Sequence, residues 1–358
     1  MSNAFDIASD STLIRIAEAF EKQVRINEKV DFSGSPGNDT LYAGDTNAGF
    51  LGFVTADELF TGAQIATEIG LSAGTLINTN TPWIKYIWKG EICFTPLKPI
   101  RHSATWDAIY NTGSVFGSGD EGFLPPKGRL GVGLSIDGTD NSINTTTQHF
   151  LAGTDSSDLV GEVGDTLVLK GWANAANNGS ATIVSITNTK IVLDQDLSTE
   201  AGGLQKRFYN QANAVTQNRT VTKDSLVYRV TLFKGANENP TNTYSASDRG
   251  GRGPHNEWNW IMGQLHEQAR LKNWAYPAYM DTDLGDFGVY LTDADMVTHH
   301  TFGTGNYTWC QEVRDDTSWR RVMRGYYGVS FLFANYSWSV GSNVGFRPVL
   351  RLPRTATL

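Results

Sequence analysis

Arg324-Gly325-Tyr326-Tyr327-Gly328, then Phe331-Leu332-Phe333-Ala334-Asn335-Tyr336-Ser337-Trp338-Ser339-Val340-Gly341-Ser342-Asn343, then Gly345-Phe346-Arg347-Pro348-Val349-Leu350-Arg351-Leu352: this C-terminal stretch decides how the rest of the chain reads. Its last part predicts a terminal strand that buries Phe346, Val349 and Leu350. Pro348 has no amide donor, so within that strand it predicts an edge position or a bulge. The middle part is rich in Tyr, Trp, Asn, Ser and Gly. Rigid rings supply contact area at low entropic cost and small polar side chains supply adaptable hydrogen bonds, which suits a binding surface. The same residues also suit a hairpin with an ordinary half-buried face.

A chain of 358 residues is long enough for two or three domains and a sizeable core. With 37 Gly, 10 Trp and 13 Tyr but only 18% charged residues, it reads as a loop-rich, mostly β protein that exposes aromatic surface. It does not read as helical or disordered. A net charge of −8 argues against nucleic acid as a partner, because neutralising phosphates needs clustered Lys and Arg. Cys93 and Cys310 have no spacing that implies a pair, and they read as buried free thiols. No apolar run approaches the ~20 residues of a membrane span, so membrane insertion is not expected. The N-terminus lacks a basic-then-apolar leader, which predicts synthesis in a cytoplasm without export by the general route.

Local patterns divide the chain. Asp10 or Ser11 can cap a helix whose apolar stripe is Leu13, Ile16, Ala17, Phe20 and Val24. It packs on its own domain or serves as an attachment handle for copies of itself or a neighbouring subunit. Thr55 with Glu58 has capping-box spacing for a short helix, and Gly62 to Gly70 suits a second one ended by its glycine. Trp83 to Trp88 and Glu91 to Pro96 read as aromatic strands joined at Lys89-Gly90. Residues 105–113 read as a helix, and so does the run from Asn256 to Ala269, with Trp258, Ile261, Met262 and Leu265 on its apolar face. Between them, residues 164–193 carry three β runs separated by Asn/Gly turns. Ser225 to Gly235 is an alternating strand.

Arg324-Gly325, followed about twenty residues later by Gly345-Phe346-Arg347-Pro348-Val349-Leu350, resembles the ending of C-type-lectin-like domains of the formylglycine-generating-enzyme type. It is most similar to the version found in tailed-bacteriophage virion proteins, including tail-fibre and receptor-binding proteins. The hairpin, then Lys98-Pro99-Ile100-Arg101-His102, then the Thr105-Trp106-Asp107 helix resembles the first hairpin and helix of that domain. The resemblance thus covers roughly residues 83–117 and 226–352. The Asn177-Asn178-Gly179 module is similar to a small β module that recurs in phage tail proteins.

The resemblance implies an α+β, mainly β fold with an N-terminal attachment segment over 1–35 and a C-type-lectin-like domain over 36–154 and 207–358. A small β domain is inserted at 155–206, as a surface loop with neighbouring ends allows. It implies a virion structural protein on the particle surface, of the tail or fibre kind, that recognises the host envelope non-covalently. The alternative is a head-decoration or baseplate protein whose aromatic face is buried between subunits. The expected partners are other virion proteins, copies of itself (a trimer would suit a fibre) and host polysaccharide or protein. The expected location is the virion, after synthesis in the bacterial cytoplasm.

Trp309, Trp319, Tyr326, Tyr327, Tyr336 and Trp338, with Arg320, Arg321 and Arg324, are candidates for a ligand-binding face. Tyr327, Asn335, Tyr336 and Trp338 lie where this fold displays variable surface. Arg347 reads as structural. Asp281, Asp283 and Asp286 could wrap Ca²⁺, but without an EF-hand loop they read better as a solvated turn, as do Asp293 and Asp295. His299 and His300, adjacent on a strand, would point to opposite faces and be poor co-ligands, so no metal or cofactor is expected. The enzyme of the lectin-like type needs a close cysteine pair, and only Cys310 lies in the second half. Glu257, Glu267 and Glu312 could supply a glycosidase pair, but their separation is not legible in the sequence. The chain is expected not to be an enzyme.

Overall fold

A computed structural model describes residues 34–146, 150, 159–236, the backbone of 243–244, 256–266, 289–315 and 319–352. The N-terminal helix, Glu267 and the Asp281, Asp283 and Asp286 run lie outside the described residues. The chain is mainly β, with short helices.

The hairpin is the centre of the first sheet. Trp83–Trp88 and Glu91–Pro96 pair in full register, and Lys89 (φ +52°) and Gly90 (φ +78°) both take the positive φ that a two-residue hairpin turn requires. The sheet has seven antiparallel strands in the order Ala43–Gly44, Ala48–Val54, Trp83–Trp88, Glu91–Pro96, Val349–Leu352, Leu226–Thr231, Thr220–Lys223. The strand Trp83–Trp88 is buried along its whole length because both faces of the sheet are covered. On one face Trp83 and Ile87 pack with Ile65, Trp106, Ile109 and Tyr110. On the other, Ile84, Tyr86 and Trp88 pack with Trp258, Ile261 and Leu265.

The helices behind those contacts are capped by local chemistry. Thr61 accepts from Gln64 N while the Gln64 side chain returns to the Thr61 amide, opening Gly62–Glu68. Thr105 caps Trp106–Asn111 by accepting from Ala108 N at 3.0 Å. The run from Asn256 forms a helix over 257–265 whose centre, Asn259–Gly263, is a π turn. Thr55 and Glu58 make both capping-box bonds, yet they close only a turn: the next helix starts at Gly62, behind its own cap, Thr61.

A second sheet runs in the order Leu332–Tyr336, Arg320–Gly325, Tyr307–Arg314, Val344–Phe346, Arg101–His102, Thr75–Leu76, with Thr243–Tyr244 also pairing to Tyr307–Arg314. The C-terminal motif joins the two sheets. Gly345 and Phe346 pair with His102 and Arg101 in the second, and Val349 to Leu352 pair inside the first. Pro348 therefore marks neither an edge nor a bulge. It sits where the chain leaves one ladder for the other, a point that needs no amide donor, and its carbonyl accepts from the Thr95 hydroxyl at 3.0 Å.

The inserted module is an eight-stranded sheet in the order Glu200–Ala201, Leu134–Asp137, Ser142–Thr145, Lys190–Leu193, Gly179–Ile186, Thr166–Lys170, Arg207–Asn210, Arg129–Leu130. The sheet is strongly curled, and its first strand packs tightly on the turn that enters the second: a Cβ on Gly202 would lie 1.7 Å from the Gly131 carbonyl. The expected boundaries of 155 and 206 are too narrow. Leu134, Ile136 and Ile143 share one core with Leu167, Leu169, Ile183, Ile191 and Phe208, so strands on both sides of those boundaries belong to the module. Entry and exit are neighbours, because Leu130 pairs with Arg207 and Arg129 with Phe208. Contacts across the junction include Glu121 with Lys170 and with the Tyr209 hydroxyl (2.6 Å).

Candidate ligand-binding face

The edge strand of the second sheet, Leu332–Tyr336, pairs Met323 with Phe333, Arg321 with Asn335 and Arg320 with Tyr336. Alternation turns Phe333 and Asn335 to one face and Ala334 and Tyr336 to the other. The four expected ligand-binding residues therefore do not meet in one site. Tyr336 stacks on Trp338 (ring centroids 4.9 Å apart, planes at 19°) beneath the Arg320 guanidinium, 4.9 Å from the Tyr336 ring. Asn335 Oδ1 accepts from the Tyr336 amide at 2.9 Å. Tyr327 belongs to another group.

That group is built around the turn after Arg320–Gly325. Gly325 (φ +96°) must lack a side chain, since a Cβ there would lie 2.2 Å from the Asn306 carbonyl, and Tyr326 follows at φ +78°. Main-chain bonds lock the turn: Gly325 N to Phe331 O (3.0 Å), His300 N to Tyr326 O (2.8 Å) and Gly328 N to Thr298 O (3.0 Å). The rings then fall into contact. Tyr307 stacks on Tyr326 at 4.6 Å, His300 on Tyr326 at 5.3 Å, and Tyr327 meets Tyr326 edge-on at 4.7 Å and Phe331 edge-on at 5.0 Å. Phe333 lies 6.0 Å from Tyr307, and Phe302 lies 5.8 Å from His299. Burial and the neighbouring tyrosines push the Tyr307 hydroxyl up to about 12. Tyr327 (56%), Phe302 (48%) and Phe333 (43%) are exposed, so the cluster presents a rigid aromatic surface.

His299 and His300 do not point to opposite faces. They stand at the start of the 3₁₀ turn His300–Phe302, where the period of two does not apply, and their rings are 4.3 Å apart. No group of metal-binding side chains occurs among the described residues. Asp295 makes a capping box with Thr292, and Asp293 accepts from the Thr298 hydroxyl and lies 3.3 Å from His266 Nε2.

Of the remaining candidates, Trp319 is half-buried beside the Arg129 guanidinium, and the others described are held inside the fold. Trp309 is buried and donates to the Ala104 carbonyl at 2.9 Å. Arg321 is buried with its guanidinium 4.0 Å from the Trp106 ring, and Arg324 is buried against Asn259. Arg347 donates to the Met296 carbonyl at 2.7 Å and lies over Trp258. Glu257 is buried, with both carboxylate oxygens accepting from Arg351 Nη2 and one also accepting from the Tyr86 hydroxyl; Glu312 accepts from the amides of Gly235 and Ala236. Cys93 and Cys310 are buried free thiols. The cluster partners of Tyr327 came from segments that sequence spacing alone does not bring together; the one local sign was the Gly-Tyr-Tyr-Gly run itself.

No protein-family model matches the chain, and no curated protein matches it. Among solved structures, a phage phi92 endosialidase is similar over 53% of this chain at 12% identity, with a TM-score of 0.17. The matched part spans about a third (35%) of that structure. Among the described residues, no helix is long and apolar enough to cross a membrane.

Proposed function

We propose that the chain is a structural protein of a tailed-bacteriophage virion, displayed on the particle as part of the tail or a fibre. In this reading a C-type-lectin-like domain recognises the host envelope non-covalently through its aromatic C-terminal face. The observation that carries it is the exposed ring cluster of Tyr327, Phe333 and Phe302, held by main-chain bonds on a rigid sheet edge. A contiguous aromatic surface marks an interaction site more often than a bare exterior. Rings already locked in place also lose little entropy on binding. The resemblance of residues 83–117 and 226–352 to virion lectin-like domains supports the same assignment. So does the way the terminal motif ties two sheets together behind the face.

The test is binding of the fluorescently labelled full-length protein to cells of a bacterial host. Saturable binding that Tyr327→Ala/Phe333→Ala abolishes supports recognition by the cluster. Loss only with Tyr336→Ala/Trp338→Ala moves the site to the opposite face of the edge strand. The purely structural alternative is favoured by the hydrocarbon character of Phe302 and Phe333, which have no polar handle for a sugar. In that case folded protein binds no cells, and the same substitutions disrupt assembly with copies of itself or other virion proteins.

A further inference from the structure

We infer that Asp293 is the positioning residue of the aromatic face: one of its carboxylate oxygens clamps together the two chain segments that supply the rings. The inference deepens the receptor reading and rests on it only for the effect on cell binding.

The rings come from two separate stretches. His299, His300 and Phe302 follow the short helix Asp293–Met296, whereas Tyr326, Tyr327 and Phe333 belong to the turn and edge strand after Arg320–Gly325. Asp293 touches both stretches. Its Oδ1 accepts from the Thr298 hydroxyl at 2.5 Å, directly before the histidines, and from the Val329 amide at 3.1 Å. Thr298 completes the corner: its amide donates to the Asp293 carbonyl at 3.0 Å, and its carbonyl accepts from the Gly328 amide at 3.0 Å. The two amides that follow the exposed Tyr327 are therefore both held by Asp293 and the residue it clamps.

The clamp is anchored from behind. Val329 is buried, and its carbonyl accepts from Trp258 Nε1 at 2.8 Å. At the far end of the helix, the Met296 carbonyl accepts from the buried Arg347 guanidinium at 2.7 Å. A clamp fixed to the core at both ends passes its position on to the rings. Its strength comes from charge, because donors to an ionised oxygen make the stronger hydrogen bonds. Burial opposes ionisation of Asp293, but the His266 ring, 3.3 Å away, and the Thr298 hydroxyl outweigh it and hold the carboxyl below its ordinary value. Without this oxygen the buried Val329 amide would lose its acceptor, which is costly.

The test is amide hydrogen exchange of the full-length protein, read at Gly328 and Val329, together with binding of the labelled protein to host cells. Asp293→Ala should raise exchange at Val329 about tenfold or more and weaken cell binding by a similar factor. Asp293→Asn keeps an acceptor oxygen and should recover most of both. Should Asp293→Ala fold poorly, Thr298→Val decides: it keeps the shape, loses only the hydroxyl, and should raise exchange at the two amides about threefold. Glu200→Gln, a destabilising change inside the inserted module, should move neither readout. Unchanged exchange at Val329 in both Asp293→Ala and Thr298→Val overturns the inference, and so does an equal rise in Glu200→Gln. Cell binding that stays at the native level once the turn has loosened overturns it too. Native protein that binds no cells, with Val329 exchange responding as expected, removes the receptor reading and leaves the clamp standing, so the two failures are distinguishable.

Discussion

Arg351, near the end of the C-terminal motif, is a buried cation, and what satisfies it lies far away in the chain. Both of its contacts to Glu257 are short (2.8 and 2.7 Å), its Nε donates to the Thr231 hydroxyl, and Tyr86 donates to the same carboxylate at 2.9 Å. Burial disfavours the charge, but Glu257 beside it outweighs that and holds the guanidinium above its ordinary value. Removing one member of such a pair strands the other. Glu257→Gln is therefore expected to cost about 3–5 kcal/mol in urea unfolding. Tyr86→Phe, which deletes one hydrogen bond to a charged group, should cost about 1.5–3 kcal/mol. Equal costs for the two would mean that Arg351 is not held by Glu257. None of this was legible beforehand: Glu257 read as a candidate acid because nothing local revealed a partner 94 residues away.

Short-range chemistry was legible wherever an element is made by its own neighbours. The Lys89-Gly90 turn, the short helix after Thr105 and the Gly62–Glu68 helix each rest on residues close in sequence, and each formed where the pattern put it. The module's extent was not legible, because its sheet takes strands from 129–145 that only their shared core identifies. One of its loops carries a pH-dependent clasp. Glu200 accepts from the amides of Ala173 and Asn174 and from the Asn177 side chain, and it pairs with Lys206. Burial opposes ionisation, but these bonds outweigh it and hold the carboxyl down to about 2, below its ordinary 4.5. The unfolded chain then binds the proton more readily than the folded one. The contribution of Glu200 is complete above about 4.5 and is lost as pH falls towards 2. Thermal melts between pH 6 and 2.5 should show this loss, and Glu200→Gln should flatten the dependence. An unchanged slope in that variant would assign the acid sensitivity elsewhere.

At the scale of the whole molecule, the host domain is two sheets that the terminal segment joins, and the module is entered and left through one pair of strands. The chain enters at Arg129–Leu130 and leaves at Arg207–Asn210, with Leu130 opposite Arg207. Two antiparallel residues in that relation are where a two-residue turn closes a hairpin. Replacing residues 131–206 by Asn-Gly should therefore give a shortened chain that still unfolds cooperatively. It keeps the Leu124, Leu130 and Val313 contact and the Tyr209 bond to Glu121, and it loses the Lys170 ion pair. Partly exposed ion pairs contribute about 1 kcal/mol or less, so a small fall in melting temperature is expected. The near-ultraviolet circular dichroism of the stacked C-terminal rings should persist, because their supports, Asn306, Thr298 and Phe331, all lie in the host domain. Loss of cooperative unfolding would show instead that the module completes the host core, and that the two sheets cannot fold without it.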